Sequence, residues 1–210
     1  MAVFARFGAG PAGWVYFAFV CALIAVSFID LDFQIIPDEI SLGGLMVGLA
    51  VSALWPQLHG TASRELALGR SVIGAAVGGG LLWATGAAGD VMLFGLRRLG
   101  VALRHRPFWR RKLARYRHMR ESMGGGDIKL MAMAGAFLGW RLAALTFFLA
   151  PMLALGPGLA MVLFRRSHVI PYGPFLSLGL AAALFAGEPI IRASGIEFTI
   201  RLLWEYWHGA

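Results

Sequence analysis

The sequence predicts an all-α, polytopic membrane protein with about six transmembrane helices and a C-terminal interfacial helix, and three observations carry that prediction. Of the 210 residues, 59% are hydrophobic and 14% charged, with a mean hydropathy of +0.71. That leaves too little polar surface to coat a soluble globule. Apolar runs of spanning length recur along the chain, and at about 20 residues per crossing they fill most of a single membrane-embedded domain, 1–210. Ten of the nineteen Lys and Arg residues fall between Arg97 and Arg120, next to apolar spans. The formal charge of +8 therefore reads as membrane topology and contact with lipid headgroups, not as nucleic-acid binding.

Taken in order, the first span is expected over 11–30, with Pro11 in the first turn, where a missing N–H costs nothing. It is flanked by acidic residues and has no Ala-x-Ala-like cleavage site, so it reads as a span and not as a cleaved signal. Residues 31–41 carry Asp32, Asp38 and Glu39 around Ile35-Ile36-Pro37, and are expected as a loop or short amphipathic turn. The run 42–56 is short and glycine-rich, which suggests packing against a neighbour. A polar connection, 56–69, precedes the third span at 70–96, which holds Gly78-Gly79-Gly80 and ends near Asp90.

After a basic loop, 97–126, come a short span at 128–140 and a fifth at 142–164, broken or kinked at Pro151 and Pro157. A sixth is expected at 172–187. The tail, 190–207, mixes charges with Phe198, Trp204, Tyr206 and Trp207, as a helix lying among headgroups would. With the N-terminus outside, the inner set holds thirteen Lys and Arg residues: the ten of the loop with Lys129, Arg165 and Arg166. The outer set holds six: Arg6, Arg64, Arg70, Arg141, Arg192 and Arg201. The positive-inside rule selects that orientation, and it puts Asp30 and Asp127 on the same, cytoplasmic, face.

Those two acids are the candidate catalytic residues. Asp127 closes Met123-Gly124-Gly125-Gly126-Asp127-Ile128-Lys129, and Asp30 ends the first apolar run 97 residues upstream. A carboxylate inside a bilayer costs at least about 2.5–3.5 kcal/mol and marks function by default. Two held close together share a proton, so one serves as base and the other as acid for water attack on an amide. The glycines Gly124, Gly125 and Gly126 are expected to adopt backbone conformations closed to other residues and to leave room for an extended substrate. A helix N-terminus at Asp127 favours it as the ionised member. Asp32 and Asp38 with Glu39 form an acidic lip that caps the next helix or meets basic substrate residues. Lys129 is open to two roles, tuning the dyad or anchoring the inner face. Cys21 stands alone and the five histidines are scattered, so no metal and no cofactor are expected.

Three ordered motifs, MGGGDIK at 123–129, Asp30-Leu31-Asp32-Phe33-Gln34-Ile35-Ile36-Pro37-Asp38, and Ile170-Pro171-Tyr172-Gly173-Pro174-Phe175, resemble those of the type IV prepilin leader peptidases, members of the Gly-x-Gly-Asp class of membrane aspartyl proteases. The resemblance implies cleavage of the basic leader of prepilins or type II secretion pseudopilins at the cytoplasmic face of a bacterial inner membrane. It matches Asp30 and Asp127 to the catalytic aspartates, with pilus or secretion machinery as possible partners. Family members that also N-methylate carry paired Cys-x-x-Cys zinc ligands in an N-terminal portion; this chain reads either as a short, peptidase-only form or as a piece lacking that portion, and methyltransferase activity is not expected of it. Two alternatives remain at this stage. One is a presenilin-like intramembrane protease, disfavoured by the lack of a late Pro-Ala-Leu motif. The other is a transporter or structural membrane subunit, for which no inverted repeat is visible.

Overall fold

A buried stripe on one long helix explains how the chain folds around its acids. In the helix Pro11–Phe33 (α2), Tyr16, Phe19, Leu23, Val26 and Asp30 are buried, at spacings of three and four that place them on one face. The opposite face presents Trp14, Ile24, Phe28 and Leu31 outward. Both faces are apolar, because one meets protein and the other meets lipid. Asp30 is therefore the polar end of an inward stripe.

The computed structural model describes residues 1–102, 123–165 and 171–194. The basic segment 103–122, residues 166–170 and the tail from 195 onward lie outside them; the first residues of the predicted interfacial helix, 190–193, continue the last described helix instead. Every regular element described is helical: α1 (Ala2–Phe7), α2 (Pro11–Phe33), α3 (Asp38–Leu54), a 3-10 turn (Pro56–His59), α4 (Arg64–Ala102), α5 (Gly125–Leu138), α6 (Trp140–Arg165) and α7 (Gly173–Ala193). Four of these are long and apolar enough to cross a membrane: Pro11–Phe33, Arg64–Met92, Trp140–Leu159 and Gly173–Ala193.

The short helices α3 and α5 do not join that group. At about 1.5 Å per residue, the 14 residues of α5 cover roughly 21 Å, less than the ~30 Å of a bilayer core. Leu130, Met131, Met133, Ala134, Gly135, Ala136 and Phe137 are all buried, so α5 is enclosed by protein nearly all round. It packs most extensively on α4, then on α3. Glycines make that possible. A Cβ on Gly74 would run into the Gly135 carbonyl, and one on Gly135 into that of Gly74, so these backbones meet as closely as two helices can. Gly44 and Gly48 of α3 likewise admit Met133 and Phe137.

Several boundaries differ from the sequence expectation. The α2–α3 connection shrinks to 34–37, because α2 runs on to Phe33 and α3 starts at Asp38, directly after Pro37 and with Asp38 and Glu39 in its acid-favouring first turn. The third span begins at Arg64. Pro151 and Pro157 do not break the helix expected there, which runs on through both from Trp140 to Arg165. The first residues form α1, whose Phe4 stacks on Phe17 and meets Trp14 edge to face, and whose Phe7 packs against Tyr16 of α2.

At the far end of α5 from Asp127, polar groups close the bundle. Ser71 Oγ donates to the Ala136 carbonyl at 2.8 Å, Ser52 Oγ lies 2.9 Å from His59 Nε2, and Arg70 Nη1 donates to the His59 carbonyl at 2.6 Å. Burial holds the His59 imidazole below its usual range.

Candidate active site

The site forms where the C-terminal end of α2, the first turn of α5 and the first turn of α7 meet. Asp30 is 6% exposed, and its Oδ2 accepts a hydrogen bond from the Gly173 N–H at 2.9 Å. Gly173 opens α7 with Pro174 behind it, a favoured helix start. The residue must be glycine for reasons of space. A Cβ there would lie 2.6 Å from Asp30 Oδ2 and 2.9 Å from its Cγ, closer than any relaxed contact.

Asp127 occupies the first turn of α5 and is half-buried. The two carboxylates, 97 residues apart in sequence, lie within electrostatic reach of each other. The preceding glycines divide the work. A Cβ at Gly124 would sit 2.9 Å from Asp127 Oδ2, one at Gly126 would sit 2.9 Å from Ile36 Cβ, and one at Gly125 would meet nothing. Their contribution is room and not unusual backbone: Gly124 has φ −66°, and Gly125 and Gly126 are not among the positive-φ residues. Only Gly125 faces open space, so it alone fits the expected room for an extended chain.

Tyr172, just ahead of Gly173, is half-buried, and its phenol is pushed up to about 12 by burial, with the Asp127 charge adding to the shift. It stays protonated as a donor beside the site. Adjacent residues thus reach both acids, Gly173 touching Asp30 and Tyr172 sensing Asp127. In the sequence this segment stands out only through the family resemblance: the Gly-Pro pair marks a helix start, but not that the start meets the two acids.

The remaining candidates separate. Lys129 Nζ bonds both oxygens of Asp38, at 2.7 and 2.8 Å, so these two meet each other. Asp32 and Glu39 are exposed on α2 and α3 and lie beside the connection. Asp90 is exposed on α4.

Comparison with known proteins gives the chain a family. Residues 17–159 match the Type IV leader peptidase family. The chain is 33% identical over 173 residues to the prepilin leader peptidase/N-methyltransferase of Aeromonas hydrophila, covering 81% of this chain and 48% of that protein. It is 33% identical over 194 residues to the protein of that name from Burkholderia pseudomallei (strain K96243), covering 91% and 52%, and 30% identical over 199 residues to the one from Pseudomonas putida, covering 92% and 57%. The chain spans about half the length of these relatives. No solved structure matches it. With the match running through α2, α3, α4, α5 and most of α6, the chain belongs to the Type IV leader peptidase family.

Proposed function

We propose that this chain is a membrane aspartyl endopeptidase that removes the basic leader of type IV prepilins or pseudopilins at the cytoplasmic face of the inner membrane. The observation that carries the reading is Asp30 held against the start of α7 by the Gly173 N–H, with Asp127 within reach of its charge. Family membership supplies the substrate class, since the relatives are named for prepilin leader cleavage.

The chemistry follows from the pair. The ionised carboxylate takes a proton from water as that water attacks the scissile carbonyl, while the protonated one gives its proton to the carbonyl oxygen; as the resulting diol collapses, the proton taken from water passes to the leaving nitrogen and a diol hydroxyl returns its proton to the second carboxylate. The Gly173 N–H at Asp30 Oδ2, on the positive end of the 21-residue α7, supports Asp30 as the ionised base. Asp127 then holds the proton. This reverses the assignment expected from the helix N-terminus at Asp127 alone. The exposed Gly125 gives an extended leader space to lie against the acids.

The test is cleavage of a purified prepilin by the wild-type protein, Asp30→Asn and Asp127→Asn, read by mass. Each variant is expected to lose cleavage entirely while still inserting in the membrane, and the product mass also reports any added methyl group. Normal processing by either variant would overturn the proposal.

A further inference from the structure

The connection between α2 and α3 is fastened at three points to the helices that carry the two aspartates. At its start, Gln34 turns into the left-handed region (φ 54°) and its N–H bonds the carbonyl of Asp30 itself at 2.9 Å. In its middle, Ile36 is 7% exposed and presses on Gly126, the residue before Asp127, where even one added carbon would crowd it. At its end, Asp38 is gripped through both carboxylate oxygens by Lys129, two residues past Asp127.

We propose that the Lys129–Asp38 ion pair is a strap that clamps residues 34–37 onto the first turn of α5 and so sets the position of Asp127 against Asp30. This rests on the aspartyl peptidase reading above. Lys129 and Asp38 are positioning residues, each satisfied by the other, and neither acts on the leader or directly on the dyad. Helix geometry agrees: residues two apart on a helix do not face each other, so Lys129 projects away from the side on which Asp127 meets Asp30.

The pair's effect is local. The side chains are 39% and 57% exposed, and an ion pair so open to solvent adds little to global stability. Position is another matter, because a displacement of about 1 Å in a catalytic group can cost on the order of a hundredfold in rate. A strap that lets Ile36 lift from Gly126 would let Asp127 drift while the rest of the bundle stays folded.

The experiment is a double-mutant cycle on prepilin cleavage with Lys129→Met, Asp38→Asn, the double variant and Lys129→Arg, measuring kcat and KM separately. It is paired with amide hydrogen exchange over residues 34–36. Each single variant is expected to lower kcat about tenfold with KM unchanged, and the double variant to be no worse than either. Lys129→Arg, which can still grip a carboxylate with two donors, is expected to stay near wild type. Exchange at 34–36 should quicken in both single variants and the double. A loss confined to Lys129→Met would mean that Lys129 acts on the dyad, and a raised KM confined to Asp38→Asn that Asp38 binds substrate; either overturns the strap, as do additive losses. If the wild-type protein cleaves no prepilin, the peptidase reading fails. The exchange arm then still decides the strap: faster exchange supports it and unchanged exchange removes it.

Discussion

Gly173 shows at the level of one residue how little freedom the site has. Its hydrogen is all that separates the α7 backbone from the Asp30 carboxylate, so Gly173→Ala must move the carboxylate or the start of α7. We expect Gly173→Ala to lower the prepilin cleavage rate on the order of a hundredfold, the cost of displacing a catalytic group by about 1 Å. The thermal unfolding midpoint in detergent should fall only modestly, because Gly173 is buried but lies in the first turn of a helix, which can shift to relieve the crowding. Cleavage near the wild-type rate would show that Asp30 does not need this donor. The acids themselves are legible in sequence, since a carboxylate in an apolar run has no cheap structural reason to be there. Gly173 is not, because nothing near residue 173 records that α7 begins against α2, 143 residues earlier. The Lys129–Asp38 pair is hidden for the same reason, being a contact across 91 residues fixed only by how α3 and α5 pack.

At the level of elements, α5 is a short helix held in a glycine collar, and the collar makes opposite predictions for two glycines of similar sequence context. Gly135 lies in backbone contact with Gly74 of α4, whereas a Cβ on Gly80 would meet nothing. Gly135→Ala therefore forces α4 and α5 apart, and overpacking of that kind costs about 1–3 kcal/mol or more. Gly80→Ala removes a flexible residue from a helix interior at no steric cost, which favours the folded state. Thermal unfolding in detergent should show Gly135→Ala below wild type and Gly80→Ala at or above it; the reverse order would mean that α4 and α5 do not meet at Gly74. The glycine-rich runs announce close packing in the sequence, but not which glycines take part, because the lipid-facing and protein-facing sides of these helices are both apolar. The same uniformity hides the inward stripe of α2. Pro37 marks the α2–α3 boundary in the sequence. It does not show that α3 begins immediately after it and leaves only four residues to bridge the two helices.

For the molecule as a whole, the two ends of the bundle differ in character. Asp30, Asp127 and the connection 34–37 lie at one end; α3 then carries the chain away, so that the 3-10 turn at Pro56–His59 and the start of α4 lie at the other. The imbalance of Lys and Arg in the sequence supports the proposal that the first end faces the cytoplasm, and the proposed chemistry requires it there, since a basic leader is held on that side by the same charge rule. The orientation can be tested without any activity. In a Cys21→Ser background, which removes the one native thiol, Gly125→Cys places a thiol in open space at the site end, and Ala62→Cys places one at an exposed position of the opposite turn. A membrane-impermeant maleimide added to intact spheroplasts should label Ala62→Cys and spare Gly125→Cys, and inside-out vesicles should give the opposite result. Labelling of Gly125→Cys from outside would invert the topology, put the dyad out of reach of a cytoplasmic leader, and leave the carboxylate pair in need of another substrate.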